Sequence, residues 1–307
     1  MKKIELFYPS FTKKALTFTI DDGNMAYDKK LLSILAPVGI KGTFNLCSHI
    51  HLGKEDETRE FYRGYDVANH MKYHPLVNYD GVDYPISYEP FDPDTADEAF
   101  VYRVDGSDVF FWLHRPNGWR QMVFEKDFLR FIEDGKKELD AIFGEGTVRD
   151  FVWPYCEQDN AAARDLIRRT HRSARKTGPT LDTTGFAIPA DKYAWSYNAY
   201  DMNLLEVMEK YEAYPDDGEL KFFAFGVHSI DFERDEKWGD LEAFAKKYGN
   251  RPDTYWYATV GEIFDYEEAI DLLKLTDSYV ENPSEVDVYV SVNGERVILP
   301  PHTRISF

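Results

Sequence analysis

Leu16-Thr17-Phe18-Thr19-Ile20-Asp21-Asp22-Gly23 decides how the rest of the chain is read. Its first five residues are apolar or β-branched, the composition of a short buried strand. Two carboxylates and a glycine follow at once. In folds built from parallel strands, reactive groups gather at the carboxyl ends of those strands, so an aspartate pair here is a candidate for chemistry as well as for a turn. Working outward, 27–35 carries Leu31, Leu32 and Leu35 at helical spacing until Pro37 ends it. Strands are predicted at 41–46, 65–68, 151–153, 220–227 and 255–260, and helices at 126–143, 161–170, 241–248 and 262–275. In the 126–143 helix, Phe128, Phe131, Ile132, Leu139, Ile142 and Phe143 share one face and Gly144 stops it. Strands alternating with helical patterns argue for a parallel sheet with crossover helices, open or closed as a barrel.

Two stretches break this rhythm. Residues 80–124 are β-rich, with a hairpin signal at Pro116-Asn117-Gly118. Near the end, Val286, Val288, Val290 and Val292 alternate with polar residues before Asn293-Gly294, and Val297 and Leu299 begin a return strand. The expected organisation is therefore a main domain over 1–279, carrying the insertion at 80–124, and a β-hairpin over 280–307 packed on it.

The chain has 307 residues, 43% of them hydrophobic, and a formal charge of −19. Its mean hydropathy is −0.51, and no apolar run approaches the roughly 18 residues of a membrane helix. Phosphate contacts need clustered Lys and Arg, so nucleic acid and acidic membranes are disfavoured partners. Met1-Lys2-Lys3 runs into Glu5, Tyr8, Lys13 and Lys14 without a continuous apolar stretch, which is not a secretory h-region. The expected location is the cytoplasm, or outside it if a leader has been removed. Cys47 and Cys156 cannot make a disulfide scaffold and lack metal-finger spacing.

Four strand ends carry candidate chemistry. Asp21 and Asp22 follow the first strand, His70 and His74 follow the strand at Val67, Pro154-Tyr155 follows Phe151-Val152-Trp153, and His228 ends the 220–227 run. Histidines four apart on a helical turn lie on one face and can share a metal, with a carboxylate completing a set that leaves positions open for water and substrate. Glu262 reads more simply, as a carboxylate at a helix N-terminus.

These residues carry a family resemblance. Thr19-Ile20-Asp21-Asp22-Gly23 resembles the T-F-D-D-G signature of the polysaccharide deacetylases, carbohydrate esterase family four. Gly42-Thr43-Phe44 is similar to their A-T-F strand, Asn69-His70-Met71-Lys72-Tyr73-His74-Pro75 to their metal motif, Trp153-Pro154-Tyr155 to their P-Y motif, and Val227-His228 to their L-x-H motif. Order and spacing agree from about residue 15 to 275. The resemblance implies a distorted (β/α)7 barrel, here with a β-rich insertion and a C-terminal β-hairpin. It implies one divalent metal, zinc first and cobalt, nickel or iron as alternatives, held by Asp22, His70 and His74. Asp21 becomes the general base, His228 the general acid, and the Tyr155 backbone N–H an oxyanion donor. Val152 stands where many members carry the arginine that orients the base, so Arg175, on the predicted strand Ser173-Ala174-Arg175, is the candidate substitute. A convincing D-x-x-D-W motif is missing, leaving His228 without an assigned partner, with Asp231 merely near it in sequence.

The implied reaction is removal of N-acetyl groups from an N-acetylglucosamine-containing oligo- or polysaccharide. Hydrolysis of an O-acetyl ester or a non-sugar amide at the same site, or carbohydrate binding without catalysis, are the alternatives. Trp195, Trp153 and Trp238 are candidate rings for stacking on sugar. The aromatic insertion reads as sugar contact, as its own core, or as the contact of a homo-oligomer.

Overall fold

The structure is a computed structural model. It describes residues 4–72, 76–79, 82–85, 99–103, 110–114, 120–122, 125–154, 161–176, 185–200 and 203–307, with side chains left aside over 73–128. The chain divides into two compact units: Met1–Phe44, Gly64–Asp66 and Pro179–Phe307, and then Asn45–Arg63 with Val67–Gly178. Among the described residues the main sheet has seven strands. Its path is Ser173–Arg175, Asp150–Val152, Asp66–Asn69, Gly42–Leu46, Lys14–Asp22 and Lys221–His228, and Tyr255–Tyr257 also pairs with Lys14–Asp22. Seven strands alternating with helices is the α/β class expected.

In the first unit, Lys14–Asp22 and Lys221–His228 run parallel in a register that pairs Phe18 with Phe225 and Asp21 with His228. Both strands are almost wholly buried, which is why they read as continuous apolar runs rather than alternating ones. Phe18 meets Phe225 and Phe244 edge-on, with ring centroids 4.8 and 5.5 Å apart. Helix Met25–Leu35 buries Leu31 and Leu35 and ends at a short 3-10 turn that includes Pro37. Helix Val260–Leu272 starts with a capping box: Thr259 Oγ1 accepts from the Glu262 backbone N–H, and the Glu262 carboxylate accepts from Thr259 N–H.

The predicted hairpin is present. Val288–Val292 and Glu295–Leu299 pair antiparallel around Asn293-Gly294, and Ile4–Phe7 adds a third strand to Val288–Val292. Asn293 and Gly294 have φ of 54° and 91°, the two positive values that a type I′ turn demands. Val288, Val290 and Leu299 join Tyr8, Trp195, Phe222, Phe264 and Tyr266 in one hydrophobic cluster.

In the second unit, Asp150–Val152 pairs in parallel with both Ser173–Arg175 and Asp66–Asn69. Helix Glu125–Phe143 buries Phe131, Ile132, Leu139 and Ile142, the face its periodicity predicts. In and just before the insertion the described strands are antiparallel: Leu76–Tyr79, which precedes it, with Val82–Pro85, and Phe110–His114 with Ala99–Arg103 and Arg120–Met122. Pro116-Asn117-Gly118 lies outside the described residues. Among the described residues no helix is long and apolar enough to cross a membrane.

Candidate active site

The first unit brings a carboxylate and an imidazole to one strand level. Because Asp21 is registered with His228, both side chains arrive at the same level at the carboxyl end of their strands. Asp21 is buried. Asp22, next along, has φ of 78° and is followed by Gly23 at 76°. Two consecutive left-handed residues turn the chain sharply away from the strand. For a non-glycine residue that conformation costs about 1–2 kcal/mol and persists only where its surroundings enforce it.

His228 is held between carboxylates. Its Nδ1 lies 3.0 Å from Asp231 Oδ2 and its Nε2 lies 3.9 Å from Asp22 Oδ2. Asp231 is braced in turn by Arg234, 2.7 Å away. Burial works against charging the imidazole, but the hydrogen bond to Asp231 and the negative charges of Asp22 and Asp21 outweigh it, so the pKa is pushed up to about 9. His228 is therefore protonated at neutral pH, the form from which a general acid donates. Asp231 is the partner that the motif comparison left unassigned. Its signal is spacing: helix Ser229–Arg234 begins immediately after His228, and i, i+3 side chains on a helical turn face one another.

The second unit supplies a histidine of the opposite kind. His70 follows the Asp66–Asn69 strand and is fully buried. Its Nδ1 lies 2.9 Å from the Val152 carbonyl oxygen. A carbonyl can only accept, so Nδ1 carries a proton, and in the neutral ring Nε2 is then the ligand nitrogen. A carbonyl on one nitrogen and a lone pair on the other is the usual arrangement of a metal-binding histidine. Cys47, just beyond the Gly42–Leu46 strand, is buried and donates to the His70 carbonyl at 3.3 Å. Asp22, Cys47 and His70 each offer a ligand atom suited to a metal ion, as oxygen, sulfur and nitrogen respectively. The absence of finger-like spacing hid the cysteine; its position one residue past a strand of the sheet is the signal that could have found it.

Arg175 ends the outermost strand, registered with Val152, and is fully buried. His74 and Tyr155 lie outside the described residues, as does Cys156. The three tryptophans are placed as follows. Trp195 is buried in the core against Phe222 and Phe264, and Trp153 is buried against Phe151. Trp238 begins helix Trp238–Tyr248, where its ring packs on Phe232, its Nε1 donates to Glu233, and Lys30 Nζ lies 4.3 Å from its centroid.

A family model for polysaccharide deacetylases matches residues 9–173. That is more than half of the sequence, and the chain belongs to the polysaccharide deacetylase family, a family of hydrolases. Among solved structures it is similar to the peptidoglycan deacetylase PdaC from Bacillus subtilis, at 16% identity, covering 85% of this chain and 96% of that one, with a TM-score of 0.44. The polysaccharide deacetylase Bc1974 from Bacillus cereus is 12% identical over 80% of this chain and 91% of its own, with a TM-score of 0.44. BA3943 from Bacillus anthracis, described as a pseudoenzyme of carbohydrate esterase family four, is 11% identical over 81% of this chain and 65% of its own, with a TM-score of 0.40. No curated protein matches the chain significantly.

Proposed function

We propose that the protein is a metal-dependent deacetylase that hydrolyses the acetamide of an N-acetylglucosamine-containing saccharide, releasing acetate and leaving a free amine. Family membership makes acetylated carbohydrate the substrate class. The observation that carries the finer reading is the register of Asp21 with His228, in which one strand level holds a buried carboxylate and an imidazole hydrogen-bonded to Asp231.

Asp22, His70 and His74 would hold the ion, zinc by preference, and the lone pair that Val152 leaves on His70 Nε2 supports that reading. When bound, such an ion lowers the pKa of water towards neutrality and polarises a carbonyl. Asp21 takes a proton from the attacking water as oxygen bonds to the acetyl carbon. The Tyr155 backbone N–H stabilises the developing oxyanion. His228 then gives its proton to the leaving nitrogen as the carbon–nitrogen bond breaks. The two adjacent aspartates divide the work, since a carboxylate engaged with the ion cannot also serve as a free base. Arg175 is the cation assigned to orient Asp21; its burial at the end of its strand supports a fixed role.

Acetate release from chito-oligosaccharides, with and without a chelator, tests this reading. Activity that the chelator abolishes and zinc restores is the expected result. Release only from acetyl esters or non-sugar amides would replace the substrate, and no release from any of them would leave a binding protein.

A further inference from the structure

The turn that carries His70 is fixed from behind by a residue about a hundred positions away. Asn69 ends its strand with a fully buried side chain. Its Nδ2 donates to the Ile132 carbonyl at 3.0 Å and lies 3.1 Å from His171 Nε2, while its Oδ1 accepts the Met71 N–H at 2.9 Å. The tautomer of His171 follows from its neighbour. The single hydroxyl hydrogen of Thr170 goes to the Leu166 carbonyl at 2.8 Å, so Oγ1 accepts from His171 Nδ1, 2.9 Å away. Nε2 is then the acceptor for Asn69 Nδ2. This settles the orientation of the Asn69 amide: reversed, its oxygen would face the lone pairs of both Ile132 O and His171 Nε2. Burial and then the Lys136 charge lower the His171 pKa to about 3, so the acceptor stays neutral at any working pH.

What Asn69 Oδ1 holds is unusual. Met71 is fully buried with φ of 67°, a left-handed residue directly after His70. The same turn is gripped by Lys72 N–H to Phe131 O at 2.9 Å, Ser48 N–H to Met71 O at 3.2 Å and His49 N–H to Lys72 O at 3.1 Å. Helix Glu125–Phe143 comes so close that a Cβ on Gly135 would lie 2.6 Å from Asn69 Oδ1 and 2.7 Å from Lys72 N. A strained conformation persists only where its surroundings over-determine it.

We propose that His171 and Asn69 form a positioning pair for the His70 turn: His171 fixes the Asn69 amide, and Asn69 fixes the left-handed Met71 that aims His70. The metal-affinity part rests on the reading of His70 as a ligand; the backbone part does not. Two measurements on the full chain test it in His171→Ala, His171→Gln and Asn69→Asp. The first is amide hydrogen exchange in metal-free protein. In His171→Ala the Met71 amide should exchange at least tenfold faster, with the amides of Phe151 and Leu139 unchanged. The second is zinc affinity by competition with a chromogenic chelator, which should weaken about 10- to 100-fold, the range seen when a ligand's outer support is lost. His171→Gln, whose side-chain oxygen can accept from Asn69, should recover most of both. Unchanged Met71 exchange in a folded His171→Ala, or equal loss at Phe151 and Leu139, overturns the positioning role. If His171→Ala does not fold, Asn69→Asp is read in its place: it keeps the Met71 acceptor but loses the Nδ2 donor, and zinc affinity equal to wild type overturns the proposal. Wild-type protein that binds no zinc would refute His70 as a ligand, while the exchange result still judges the pair.

Discussion

His228 ends a strand of the first unit and His70 directly follows a strand of the second, yet the chain treats them in contrary ways. His228 is half-buried among carboxylates that hold a proton on it. His70 is sealed from solvent, and a backbone carbonyl fixes a proton on its Nδ1. A proton donor needs negative neighbours and a path for its proton; a ligand needs a lone pair and a fixed direction. The two environments supply these separate needs, and side-chain substitutions should separate them too.

The sharpest break should come at Asp21. Asp21→Asn is expected to lower kcat by about a thousandfold, within the range for loss of a general base, while bound zinc measured by elemental analysis stays at the wild-type ratio. Loss of metal together with activity would merge the two groups that the comparison separates. Asp231→Asn should follow, with kcat reduced by about a hundredfold, because it removes the negative charge that favours protonated His228 and lets an amide N–H face Nδ1 in place of a carboxylate oxygen. Zinc affinity should not move. A variant with full activity would strip Asp231 of its role.

The third test uses a carboxyl group that belongs to neither histidine's environment as described above. Burial, and then Asp271, raise the Glu267 pKa to about 7 from an ordinary 4.5, against an opposing contact with Tyr8. Below pH 4.5 the folded and unfolded states are both protonated, so Glu267→Gln should leave stability unchanged. As pH rises towards 7 only the folded state keeps the proton, and the wild type loses stability. Above 7 the variant should therefore be more stable by about 2 kcal/mol, somewhat less than the full shift implies, as read by urea unfolding at pH 4.5 and 8. A gain equal at both pH values would assign the effect to packing. The smallest effect belongs to the hairpin turn. Asn293→Ala puts a side chain without local hydrogen bonding at φ of 54° and should cost about 1 kcal/mol, read as a small drop in Tm with kcat untouched.

How much could be read beforehand depended on whether the signal was local. Leu16–Ile20 is apolar enough to announce a strand, although the strand extends over Lys14–Asp22, since the lysines at one end and the aspartates at the other look like loop. The Asn293-Gly294 hairpin needed only two residues. Helix Val260–Leu272 begins two residues before its periodicity predicts, because Thr259 caps it there. Trp195 shows the limit: its sequence neighbours give no sign of Phe222 and Phe264, which bury it. The same holds for Asn69 and His171, partners 102 residues apart, where no window of sequence contains both. Helix Glu55–Phe61, seven residues long with five of them charged, carries too short an apolar stripe to register.

Gly135 sits midway along a nineteen-residue helix, where glycine weakens helix formation by about 1 kcal/mol relative to alanine. An isolated peptide of this segment would consequently be a poor helix. Docking of its backbone against the Asn69–Lys72 bend is what offsets that weakness, so this helix and the bend should be acquired in one cooperative step during folding. A chain caught with the helix wound and the bend unmade would be a rare species.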